Sequence, residues 1–135
     1  MTNYAQTLTE YFQSLAPGVE VYGNVDPNRE WGGVPMLEIT ETEQEYAHFI
    51  SGNARARRKL VAAIRAETAA SAEELAASVR DLLRDALDRL QAGGTFESWT
   101  FQNYGLAPDS RGNTSGDSFV SFIEFDIIDN PQKLY

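Results

Sequence analysis

The chain has 135 residues, 42% of them hydrophobic and 11% aromatic, which suits one domain with a real core and excludes wholesale disorder. Its formal net charge of -9 disfavours general binding to nucleic acid, and no stretch approaches the ~20 continuous apolar residues of a membrane helix. There are no cysteines, which excludes disulfides, thiolate metal sites and cysteine nucleophiles.

The N-terminus, MTNYAQTLTEYFQSL, lacks a basic start followed by an apolar run, so no secretory signal is expected. Asn3 or Thr2 can cap a first helix, in which Tyr4, Leu8, Tyr11, Phe12 and Leu15 recur at helical spacing until Pro17 and Gly18 end it. VEVY, residues 19–22, predicts a short strand, and GNVDPNREWGG a loop. VPMLEIT, residues 34–40, predicts a strand with Pro35 at its start. A further strand is expected to run to Ile50, followed by a turn at Ser51, Gly52 and Asn53.

The segment RRKLVAAIRAETAASAEELAASVRDLLRDALDRL has the composition of one long helix. Ser71 followed by Glu74 forms a capping-box pattern, so a helix is expected over residues 71–90, with an apolar stripe of Leu75, Val79, Leu82, Leu83, Ala86, Leu87 and Leu90. Gly93 and Gly94 stop it. Ahead of it, residues 60–67 satisfy both strand and helix periodicity; the fresh cap and the TAAS linker favour strand, loop, helix. TFESWTFQNYG then predicts a strand, LAPDSRGNTSG a loop, and DSFVSFIEFDII a strand with Phe119, Ile123, Phe125 and Ile127 on one face. Residues 1–128 thus form a single α+β domain, a mostly antiparallel sheet with both helices on one face, and residues 129–135 a loose tail.

The residues assemble no catalytic pattern. His48 is the only histidine, and a lone histidine in an alternating segment is more often structural than catalytic. Neither glycine pair belongs to a phosphate-cradling motif, and Glu38 with Thr40, or Glu124 with Asp126, is better explained by solvent-facing alternation than by a metal site. The expectation is a non-enzyme without cofactor or metal. The charge is nevertheless unevenly placed. Glu41, Glu43 and Glu45 crowd together, and Arg55, Arg57, Arg58 and Lys59 form the one basic cluster after them. Such blocks suit either solvated faces or a head-to-tail contact between subunits or with a partner. Trp31, in a glycine-flanked loop, is a candidate interface anchor.

The element order, from the N-terminal helix and GVEVYGNV through PMLEIT, RRKLVAAIRAET and SAEELAASVRDLLRDAL to SFVSFIEFDI, resembles the tail terminator and tail completion proteins of long-tailed bacteriophages. The resemblance is one of layout over nearly the whole chain, with no short motif to match. It implies a structural virion protein at the head–tail junction, assembled in the host cytoplasm into a ring, usually hexameric, that ends the tail tube and joins it to the head. The implied partners are further copies of the chain, the tail tube protein, a neck or connector protein, and DNA passing through an acidic lumen without specific binding; no membrane is involved. Loops at residues 23–33, 51–59 and 106–116 are the candidate contacts. Other neck or head-completion connectors share this layout, and a small α+β enzyme or ligand-binding module is the alternative from a different class.

Overall fold

The computed structural model describes residues 3–15, 20–23, 35–48, 53–109, 118–130 and 132–133. Helix α1 spans Tyr4–Leu15. Asn3 caps it: the Asn3 side chain accepts from the Gln6 amide at 3.0 Å and its carbonyl accepts from the Thr7 amide. Tyr4, Ala5, Leu8, Thr9 and Phe12 are buried, whereas Leu15, expected on the apolar stripe, is 43% exposed at the helix end.

Strands β1 (Glu20–Gly23), β2 (Met36–His48) and β3 (Asn53–Ala66) come next, then helix α2 (Ala69–Ala92) and strands β4 (Ser98–Asp109), β5 (Ser118–Ile128) and β6 (Gln132–Lys133). The strands form one sheet in the order β1-β2-β3-β5-β4, with β6 added to β3 beyond the path. Only the β1–β2 pair is parallel. The fold is therefore the expected α+β class, with one correction and one ambiguity resolved in the middle of the chain. The strand beginning near Val34 and the strand running towards Ile50 are one strand, β2, carried through an irregularity at Thr42. The strand ambiguity at residues 60–67 resolves as the second half of the long strand β3, which already contains the basic cluster.

The junction between β3 and α2 departs from the capping-box reading. The helix starts two residues before Ser71, and Thr68 is its N-cap: extended backbone at Thr68 turns the chain, and its hydroxyl accepts from the Ser71 amide at 3.0 Å. Ser71 is thus the third helical residue. Its own Ser-x-x-Glu spacing is incidental because Thr68 offers the same chemistry one turn earlier. At the other end Gly94, with φ +80°, adopts the left-handed conformation that closes the helix, while the Thr95 amide donates to the Leu90 carbonyl.

Alternation decides the faces of the sheet. Leu37 and Ile39 of β2, Leu60, Ala62 and Ile64 of β3, and Ile123, Phe125 and Ile127 of β5 point to one side and are buried. There α1 covers β1 and β2, and α2 covers β3, β5 and β4 through Ala76, Val79, Leu83, Ala86 and Leu87. Each large aliphatic or aromatic side chain so buried stabilises the fold by about 1.5–3 kcal/mol. The opposite face carries Glu38, Thr40, Lys59, Val61, Ala63, Val120 and Phe122, and no described helix covers it. On that face Phe122 lies across Gly105 of β4; a Cβ on Gly105 would come within 2.1 Å of the ring's Cζ.

The segment after β5, expected to be loose, is tied down over its described part. The Asp129 amide donates to the Ala56 carbonyl, the Asn130 side chain donates to the Gly94 carbonyl at 2.8 Å, and Gln132–Lys133 pairs with Asn53 and Ala54. Most of those partners are backbone groups at the start of β3, which the composition of the tail does not reveal.

Candidate functional site: the charged β2–β3 hairpin

The acidic and basic blocks singled out in the sequence lie on neighbouring strands and meet each other. In the ladder Glu41 stands opposite Leu60, Glu43 opposite Lys59 and Glu45 opposite Arg57. The register shifts between Glu41 and Glu43, a β-bulge that leaves Thr42 unpaired in the ladder. Its hydroxyl donates to the Lys59 carbonyl. The extra residue reverses the alternation, so Glu41 faces the helices while Glu43 and Glu45 face the opposite, uncovered side.

On the helix side Arg58, 3% exposed, is held in a four-residue cluster. Its guanidinium donates through Nε and Nη2 to both carboxylate oxygens of Glu41, the latter bond at 3.0 Å. Its Nη1 lies 3.6 Å from Asp129, and its plane stacks over the Tyr4 ring at 4.7 Å. The Tyr4 hydroxyl donates to Asp129. Burial first, and the hydrogen bond to Asp129 second, push the Tyr4 hydroxyl pKa well above its ordinary value. The hydrogen bond from Arg58 to Glu41 raises the guanidinium pKa despite burial. A bidentate Arg–carboxylate pair of this kind is strong, and removing one member leaves a poorly solvated charge behind.

On the uncovered side Lys59 reaches Glu45 at 3.4 Å and Glu43 at 3.5 Å, and these two carboxylates raise its pKa, the hydrogen bond to Glu45 contributing most. Arg57, with its side chain 53% exposed, sits 3.8 Å from Asp126 of β5. Glu43, Lys59, Arg57 and Asp126 line an open trough of about 980 Å³, which continues over Val61, Ala63, Val120 and Phe122 with Glu124 beside them. Among the described residues no three histidine, aspartate or glutamate side chains converge on a common point for a metal ion.

Six of the eight residues proposed for contacts thus form ion pairs on or beside β2 and β3, with Lys59, Glu43 and Glu45 on one side and Arg58 with Glu41 on the other, while Arg57 joins Asp126. Arg55 lies in β3 opposite Ala47, its side chain outside the described residues; of the expected contact loops, residues 53–59 belong to β3 and 106–109 to β4 instead, and Trp31, the rest of those loops and the greater part of loop 23–33 lie outside the described residues. His48 ends β2 opposite Ala54. Trp99 is half-buried at the border of the core, with its indole N–H donating to Asp88 at 2.9 Å. Sequence reasoning missed Tyr4 and Asp129, which are 125 residues apart and carry no local signal. The opposed charges of residues 41–45 and 57–59, spaced evenly about Ser51 and Gly52, were a usable sign of cross-strand pairing. No family model matches the chain, and no curated protein matches it.

Proposed function

We propose that the chain is a structural subunit that assembles with further copies of itself into a ring at the head–tail junction of a long-tailed phage, where it ends the tail tube. The observation that carries this reading is the run of β3 to Ala66, the two-residue link at Glu67 and Thr68, and the immediate entry into α2, with the antiparallel β4–β5 pair after it. The resemblance depends on that segment being strand and then helix. A chain helical from residue 57 to residue 90 would have lost it. The open sheet face and the hairpin charges suit a subunit that works by surface contact. The excess of acidic groups, -9 overall, suits a ring through which phosphates pass without sticking.

The partnering within the hairpin changes which residue reports on assembly. Arg58 is committed to the interior of its own subunit, so reversing its charge perturbs folding. Arg57, half-exposed and only loosely held by Asp126, is the member of the cluster to reverse. The test is the native mass of the purified protein, alone and after mixing with tail tubes. A ring that caps tubes and halts their growth supports the proposal. A chain that stays monomeric in both settings overturns it, and a ring that binds a neck connector but not tubes moves the reading to a head-completion role. Tight binding of DNA at physiological salt overturns the passive-lumen part alone.

A further inference from the structure

Three large hydrophobic side chains are exposed among the described residues: Leu15 at 43%, Tyr104 at 51% and Leu106 at 38%. Their positions in the fold are related. Leu106 and Tyr104 lie on β4, one border of the sheet; Leu15 ends α1, which packs over β1 and β2 at the other border. They also lie at the same height. Leu106 pairs with Ser121, Ser121 with Ile64, Ile64 with Leu37, and Leu37 with Val21 of β1. Helix α1 starts at the other end of the sheet, where Tyr4 meets Arg58 and Asp129, and its 12 residues run about 18 Å. That is close to the ~20 Å from Arg58 to Ile64 along β3, so Leu15 ends near the level of Leu37 and Leu106.

The β4 border is also shaped to receive something. A cleft of about 310 Å³ lies between α2 and β4, lined by Ala76, Ala77, Arg80, Tyr104 and Leu106 among others. The outer edge of β4 pairs with no described strand; it carries no lysine or arginine, and its irregularity at Gln102 together with Pro108 leaves Asn103 to Ala107 as the free run between them. The β4 border sets cations beside its exposed rings: Arg80 and Arg84 stand over Tyr104 and Phe101, in company with Glu73 at the cleft, Asp81 beside Arg84 and Asp88 at the Trp99 end. The described parts of α1, β1 and β2 hold glutamates, including the exposed Glu10, and no lysine or arginine.

We infer that a second copy of this chain docks on the β4 border, placing the α1 end of one subunit, led by Leu15, against Tyr104, Leu106 and the cleft beside Arg80 of the next. The contact is heterologous, so it leaves each subunit with one border free for the following copy, as ring closure requires. It keeps the alternation of strands, because β4 runs antiparallel to β1 and β2. The inference rests on the ring reading above and names the faces that meet.

The chain has no cysteine, so cysteines can be placed at will. Joining copies of a Leu15→Cys, Leu106→Cys double variant with a short bis-maleimide should give a ladder of covalent multimers ending at the ring size. Each single variant should give none. Tyr104→Ser with Leu106→Ser should raise the concentration for half-assembly about tenfold or more while leaving the circular dichroism of the subunit unchanged. If the wild type forms rings but no ladder appears, or if Leu15→Cys alone cross-links to itself, this pair of faces is refuted and the ring reading stands. If the wild type never assembles, both fall.

Discussion

Replacing Arg58 with alanine removes the centre of the buried cluster. The substitution deletes two hydrogen bonds to Glu41, the ion pair with Asp129 and the stacking on Tyr4. It leaves two carboxylates facing each other with no cation, Glu41 with 28% of its side chain exposed and Asp129 with 16%. Breaking a fully buried pair costs about 3–5 kcal/mol, and the partial solvation of Glu41 places this case near the lower end, at about 3 kcal/mol. Against a stability on the order of 10 kcal/mol for a chain of this length, that lowers the melting temperature by about 10 °C. Urea unfolding followed by circular dichroism measures the loss directly. Glu41→Gln in the same background should recover part of it, since it removes one of the stranded charges. A loss below about 1 kcal/mol for Arg58→Ala, or strict additivity with Glu41→Gln, would refute the account of the cluster as a coupled unit.

Tyr4 gives a pH signature. Its folded pKa lies above the unfolded value of 10.0, so the folded state keeps a proton that the unfolded chain loses. The stabilisation is complete below pH 10 and declines as the pH rises beyond it; Tyr4→Phe should flatten that decline in unfolding curves taken across the alkaline range. Thr68→Ala should cost about 1 kcal/mol by uncapping α2, whereas Ser71→Ala should change stability by less than about 0.5 kcal/mol; equal effects would return the cap to Ser71. Gly105→Ala should cost about 1–3 kcal/mol because the Phe122 ring has to leave its seat. Pairing it with Phe122→Ala should make the glycine substitution nearly neutral.

The elements with strong periodic patterns were legible. The apolar stripe of α2 and the alternation of β5 appear in the structure as the sequence implies, with Leu83, Leu87, Ile123, Phe125 and Ile127 all buried. The α+β class came from them. The long-range choices were not legible. β3 could be told from a helix only by the fresh helix start beyond it, and its extension back to Asn53 depends on β2, β5 and β6, which lie on both its sides. A run such as Arg55 to Lys59 looks like a solvated loop until partners are supplied, and one of them, Asp129, comes from the far end of the chain. The candidate site was located in outline because its charges are local. Its division between two faces was not, since a single unpaired residue decides it.

That residue, Thr42, is the one position in this hairpin at which an odd-numbered edit keeps the faces. With the extra residue present, Glu41 meets Arg58 indoors and Glu43 and Glu45 meet Lys59 outdoors. Were the bulge straightened with every residue kept, the three glutamates would share one parity and point together under the helices, and Arg58 could answer only one of them; removing Thr42 itself leaves Glu41 and Glu43 consecutive and on opposite faces, as they are now. Deletion of Thr42 alone therefore keeps the parity and should be accepted far more readily than deletion of a single residue on either side of it. Elsewhere along β2 the length is quantised: sequence drift there has to proceed in pairs.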